Sequence, residues 1–311
     1  MQGIPFVKMS GAGNDFIIVD NRAGILNRIT LDEFARGVCT RRMSLGGDQL
    51  MIIESPTSGG DFSMRTINVD GAEVKMCGNA SRCVARYAYT RGIAGARMTI
   101  DTLGGPVYAR VEGDEARVTL QLTSAIELER VLIAGGERHL AHTVQVSGAP
   151  HAVVHMDGVA RASKESIRRL GTAIRHHPDF PQGINVNFVE VLDGHTLWQR
   201  TFERGVEDET LACGTGAVAS SVISALLGKV ETPVRLRVLG GELSVSFERQ
   251  GDTFAELFLG GGARFIAEGT LHPEAWNGDS INAYAQTIGL QGVAMISIDD
   301  DWSALRLKAV E

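Results

Sequence analysis

The 311-residue sequence predicts a mixed α/β protein, α+β in type, built as two pseudo-symmetric lobes. Three observations carry this expectation. The length suits two domains of ordinary size, each burying its own core. Short apolar segments of strand character alternate with helical ones along the chain. The element Cys77-Gly78-Asn79-Ala80 returns 136 residues later as Cys213-Gly214-Thr215-Gly216, and each copy opens a helix after a strand, as an internal repeat would.

In the first half, residues 16–20 and 50–53 read as strands, being apolar runs bounded by glycine-rich loops. Gly11-Ala12-Gly13 reads as a tight turn, because it lacks the third glycine and the lysine of a phosphate-binding loop. Residues 30–39 begin on a capping-type threonine and keep helical spacing, and residues 80–90 form a second helix stopping near Gly92. Short strands follow at 97–101, 107–111 and 116–122. The second half repeats the plan, with strands at 143–146 and 151–155, a helix at 164–174 and a strand at 184–191. Residues 212–227 are small and apolar on most faces, which predicts a helix buried within its lobe. Strands resume at 234–238, 243–247 and 253–259. The first lobe is expected to span 1–122, completed by about 263–311, and the second 123–262. Residues beyond about 272 lie outside the repeat as an extension without a readable role.

Composition narrows the function. With 44% apolar and 22% charged residues and 37 glycines, this is the make-up of a soluble globular protein. The net charge of -7 is spread along the chain with no basic block, which argues against nucleic acid as a partner. No apolar run approaches a membrane span or a signal peptide, so no membrane association and a cytoplasmic location are expected. Four cysteines (Cys39, Cys77, Cys83 and Cys213) are too sparse for a disulfide framework and are expected as reduced thiols. Without a C-x-x-C or a close Cys/His pair, no metal is expected. Cys39 and Cys83 read as small core residues.

Cys77 and Cys213 differ by their position. A thiol at a helix start meets unpaired backbone N–H groups and the positive end of the helix dipole, which favour the thiolate. The dipole contributes roughly 0.3 to 1 kcal/mol, up to about 2 in a partly buried site, or about one pKa unit. Two such thiols facing one cavity would not both ionise, so one thiolate and one thiol form the resting pair. A base opposite an acid is what inversion at a carbon requires. The backbone N–H groups of Gly78-Asn79 and Gly214-Thr215 could hold a substrate carboxylate as charge develops on it. No lysine sits in a recognisable pyridoxal-phosphate setting, so such an inversion is expected to need no cofactor.

KMSGAGNDF at 8–16, GGDQ at 46–49, INVDGAEVKMCGN at 67–79, NVNF at 185–188 and ERGVEDETLACGTGA at 203–217 together resemble the diaminopimelate epimerase family, in the family's order, over residues 5 to about 271. The resemblance implies two lobes, each a mostly antiparallel sheet wrapped around a central helix, with the active site in the cleft between them. It implies Cys77 and Cys213 as the acid/base pair and Gly78, Asn79, Gly214 and Thr215 as the carboxylate site. Asn14, Asn68, Asn185, Glu203 and Arg204 match residues that grip the distal amino-acid end, and Gln49 one that lines the site. His151 matches a histidine able to assist the thiols. The implied reaction converts LL-diaminopimelate to the meso form for lysine and cell-wall precursors, on a small-molecule amino acid, in a chain that could dimerise.

One departure concerns the substrate: Ala149 stands where many family members carry asparagine, which removes a donor to the distal carboxylate. A racemase of another amino acid, such as histidine, is therefore the first alternative. An isomerase or ligand-binding relative of the phenazine-biosynthesis type is a second, disfavoured by the paired cysteines. A redox-switched thiol protein is a third.

Overall fold

The computed structural model describes residues 3–42, 44–273 and 288–295. Among the described residues the chain forms two compact units, one of residues 3–11, 15–106 and those from 263 onward, the other of residues 12–14 and 107–262.

In the first unit, β1 (Ile4–Gly11) and β2 (Asn14–Asp20) form a hairpin. Helix α1 (Leu31–Cys39) returns the chain to β3 (Gln49–Glu54), parallel to β2, and β4 (Phe62–Asn68) runs antiparallel to β3. The short β5 (Glu73–Val74) pairs with β4, helix α2 (Gly78–Thr90) follows, and β6 (Arg97–Asp101) lies parallel to the start of β4. Late in the chain, β18 (Arg264–Pro273) closes on β1 and pairs with β19 (Ile288–Met295). Alternation along the strands buries both faces of this sheet. Ile17, Val19, Leu50 and Ile52 pack with Phe34, Ala35 and Val38 of α1, while the intervening Phe16, Ile18, Met51 and Ile53 are equally buried on the face where α2 lies against β1 and β3.

The second unit repeats this order. After β7 (Val107–Glu112), β8 (Glu115–Thr119) and β9 (Glu127–Ala134), β10 (Glu137–Val146) and β11 (Ala149–His155) make a hairpin, α3 (Lys164–Arg175) leads to β12 (Asn185–Asp193) parallel to β11, and β13 (Thr196–Glu203) is antiparallel to β12. Then come β14 (Asp208–Thr210), α4 (Gly214–Leu226) and β15 (Val234–Val238), parallel to β13. Strands β16 (Gly241–Gln250) and β17 (Thr253–Gly262) complete the sheet. Most pairings in both units are antiparallel, with two parallel contacts in each at matching places. Helix α3 is amphipathic and lays Ile167 and Ile174 on one face of its sheet, with Gly171 so close to Phe202 that an added Cβ would stand 2.5 Å away. Helix α4 is buried along nearly all its length, as its small residues predicted.

Several strands escape local sequence patterns. β1, β4 and β13 carry charged residues whose partners lie on other strands, and β9 carries Arg130, which pairs with Glu127 of the same strand and with Asp179 past the end of α3. The segment 107–119, expected in the first lobe, belongs to the second unit because β8 pairs along β17. The expected C-terminal extension lies largely outside the described residues. Among the described residues, no helix is long and apolar enough to cross a membrane, and no group of three or more His, Cys, Asp or Glu side chains could hold a metal ion.

Candidate active site

The repeat places the candidate residues at matching positions in the two units. Cys77 is the N-cap of α2 and Cys213 the N-cap of α4, both with extended backbone (φ -132°, ψ 119° and φ -121°, ψ 111°). The first intrahelical bonds run from Ser81 N–H to Cys77 O (2.8 Å) and from Ala217 N–H to Cys213 O (2.9 Å), so the amides of each first turn point out of the helix end. Cys77 is half-buried and Cys213 only 6% exposed. Gln49 and Asn185 are the first residues of β3 and β12, and Asn68 and Glu203 the last of β4 and β13.

In the first unit, Gln49 Nε2 donates to Asn68 Oδ1 at 2.8 Å. Asn14, partly buried and grouped with the second unit, begins β2 behind the turn at Ala12 (φ 54°) and Gly13 (φ 90°), the tight turn the sequence predicted. Beside that turn Lys8 and Asp15 pair at 2.9 Å, which accounts for two further residues of the first motif. Asn79 is buried, and its Oδ1 accepts from Arg82 Nη1 at 2.8 Å. Arg82 was not singled out from the sequence, although a cation within a helix of small residues is a signal. It is fully buried, and its Nε and Nη2 have no hydrogen-bond partner among the described residues. Burial lowers its pKa, with charges on Cys83 and Cys77 acting to raise it.

In the second unit, Asn185 Nδ2 donates to Pro150 O (3.1 Å) and its Oδ1 accepts from the Arg204 backbone N–H (2.8 Å). Arg204 is exposed and Glu203 partly so. His151 is fully buried on β11, with Nε2 3.0 Å from Thr215 Oγ1 and Nδ1 3.2 Å from Asn187 Nδ2. Thr215 Oγ1 lies 3.5 Å from Cys213 Sγ. Asn187 also donates to Ala152 O (3.1 Å) and accepts from Thr201 Oγ1 (3.0 Å), which in turn accepts from Gln199 Nε2 (3.1 Å). Asn187 is the residue that reading by motif missed; its period-two spacing from Asn185 on one strand was the available signal.

Two of the four thiols are core residues. Cys39 and Cys83 are enclosed, and burial pushes both up to about 12, so they remain thiols in the core. Burial also pushes His151 down to about 3, with the Arg204 charge adding to it, and His155 down to about 4, with His142 and Lys229 adding. His155 Nε2 lies 2.9 Å from Ser224 Oγ. Both rings are neutral in the fold and take up protons on unfolding at acid pH. Stability from them is complete above 6.5 and is lost as pH falls through the window down to about 4 and 3, by up to about 1.4 kcal/mol per pH unit for each histidine. Urea midpoints measured from pH 7 to pH 4 should fall, and less steeply in His155→Asn; equal slopes in the two proteins would contradict the assignment.

Comparison with known proteins settles the family. The diaminopimelate epimerase family model matches residues 6–127 and 143–266. The chain belongs to the diaminopimelate epimerase family. Diaminopimelate epimerase of Aquifex aeolicus is 39% identical over 280 residues, covering 86% of this chain and 98% of that protein. The enzyme of the same name from Chlorobaculum tepidum is 40% identical over 268 residues, covering 85% and 99%. Among solved structures, a phenazine biosynthesis protein of the PhzF family from Bacillus anthracis matches with TM-score 0.66 at 14% identity, over 88% of this chain and 100% of that one. A hydroxyproline epimerase from Agrobacterium vitis matches with TM-score 0.64 at 15% identity, over 92% and 99%. At those identities the two structures share the fold with this member of the family, and the sequence relatives carry its epimerase assignment.

Proposed function

We propose that this family member inverts the α-carbon of LL-diaminopimelate to give the meso form, with Cys77 and Cys213 as the two proton-transferring groups. The observation that carries the reading is the duplicated Cys-Gly helix start: the same residue types at the same place of a repeated fold, in a chain of an epimerase family. A thiolate removes the α-proton from one face and a thiol delivers a proton to the other, which leaves the second cysteine as the thiolate. Negative charge passes from the α-carbon onto the carboxylate, where the first-turn amides at Gly78, Asn79, Gly214 and Thr215 are suited to receive it. Asn14, Gln49, Asn68, Asn185, Glu203 and Arg204 are assigned to the rest of the substrate. Arg204, a planar cation, suits the distal carboxylate, and Glu203 the distal ammonium. With alanine at 149, the distal carboxylate depends more heavily on Arg204 and the asparagines.

Incubation with LL-diaminopimelate in heavy water should place deuterium on the α-carbon as the meso isomer forms. Absence of exchange, with exchange into histidine or another amino acid instead, would sink the substrate assignment and leave the two-thiol chemistry standing. The same reading expects a cytoplasmic enzyme, and light scattering after gel filtration tests the expected homodimer.

A further inference from the structure

The hydrogen-bond chain that ends at Cys213 has a direction, and one of its members fixes that direction. Ala152 O is a backbone carbonyl and can only accept, so the Asn187 atom 3.1 Å from it is the amide nitrogen. The same nitrogen lies 3.2 Å from His151 Nδ1, so Nδ1 is the acceptor and carries no hydrogen. The ring is enclosed and neutral, burial holding it down to about 3, so its one hydrogen is on Nε2 and is donated to Thr215 Oγ1 at 3.0 Å. Thr215 has then received a donor at its oxygen and keeps its own hydrogen for Cys213 Sγ at 3.5 Å. Upstream the sense is the same: Gln199 donates to Thr201, and Thr201 donates to Asn187 Oδ1.

We infer that Asn187 is a positioning residue: by donating to Nδ1 of His151 it fixes the Nε2–H tautomer, which turns the Thr215 hydroxyl hydrogen onto the sulfur of Cys213. A hydrogen bond received by sulfur favours the thiolate over the thiol. The inference rests on the reading of Cys213 as one of the two proton-transferring groups.

Two further observations support a built arrangement. Gly216, the second glycine of the Cys-Gly-Thr-Gly element, leaves room for Asn187; a Cβ there would stand 2.2 Å from Asn187 Oδ1. The repeat alone does not demand the network. By strand register Phe16 faces Gln49 as His151 faces Asn185, so Phe16 and Met51 occupy in the first unit the positions of His151 and Asn187. At those two positions the first unit carries apolar side chains where the second carries His151 and Asn187. The groups around the ring are Thr215 from α4 with Cys213 at its N-cap, Asn187 from β12 and the Arg204 charge past the end of β13, while β10 and β12 set Val144 and Asn185 beside it.

The test uses the intact chain and needs no substrate. In protein labelled with 15N-histidine, His151 should show a protonated Nε2 and a bare, pyridine-type Nδ1 from pH 5 to pH 9; a protonated Nδ1 or a charged ring overturns the proposal. In Asn187→Asp the carboxylate draws the ring hydrogen to Nδ1, and Thr215 then donates to Nε2 instead of sulfur. The pH profile for alkylation of Cys213 by iodoacetamide, read by mass spectrometry of its peptide, should move up by about one pH unit or more while that of Cys77 stays in place. An unmoved Cys213 profile in folded variant overturns the proposal, and if the variant does not fold, the spectrum of the unaltered protein decides. Loss of the diaminopimelate assignment would leave both readouts unchanged, so the two failures are distinguishable.

Discussion

Cys77→Ser and Cys213→Ser each lower the rate of α-carbon inversion by about 10² to 10⁴, the range over which a positioned acid or base acts. A serine hydroxyl holds its proton far more tightly than a thiol and cannot serve as the base near neutrality. Serine nearly matches the size of cysteine, so the loss should appear in turnover and not in thermal stability. The two variants should fail together, because a two-base reaction needs one group to take a proton and the other to give one. Cys39→Ser is the control: its thiol is enclosed, pushed up to about 12, and packed with Phe34 and Val38 in the core beneath α1. That variant should lose stability and keep its inversion rate per folded molecule. Full activity in either helix-start variant would defeat the mechanism outright.

The sequence was most legible where a single residue type has few uses. Cysteine followed by glycine at a helix start states its role locally, and repetition of that element exposed the two-unit plan. The α4 helix was readable because small apolar residues on every face leave it no place but the interior. The sheets were read less completely. β4 (FSMRTIN) and β13 (TLWQRTFE) each carry an arginine in mid-strand, which breaks the local pattern, and its partner lies across a turn on β5 or β14. The same limit hid Asn187, whose partners His151 and Thr201 sit 36 and 14 residues away. Arg82 was hidden differently. Position within a helix does not show that a side chain will be enclosed without a carboxylate.

Those mid-strand arginines give the last prediction, because the repeat supplies its own control. Arg65 pairs with Glu73, four residues before Cys77; Arg200 pairs with Glu209, four residues before Cys213. The pairs are equivalent in the repeat and differ in burial, with side chains 34% and 32% exposed in the first and 6% and 2% in the second. An ion pair open to water contributes about 0 to 1 kcal/mol, because water screens it and solvates either partner left alone. A buried arginine has no such refuge. Arg200 also donates to the carbonyls of Val159 and Ala162, so its guanidinium cannot swing out without releasing that turn as well. Glu209→Gln should therefore lower the unfolding free energy by about 3 to 5 kcal/mol, while Glu73→Gln lowers it by less than about 1 kcal/mol. Urea unfolding of both variants checks the contrast. The double replacement Arg200→Met with Glu209→Leu should recover most of the loss, since the penalty comes from the stranded charge more than from the lost attraction. Equal effects at Glu73 and Glu209 would show that burial does not set the strength of this pair.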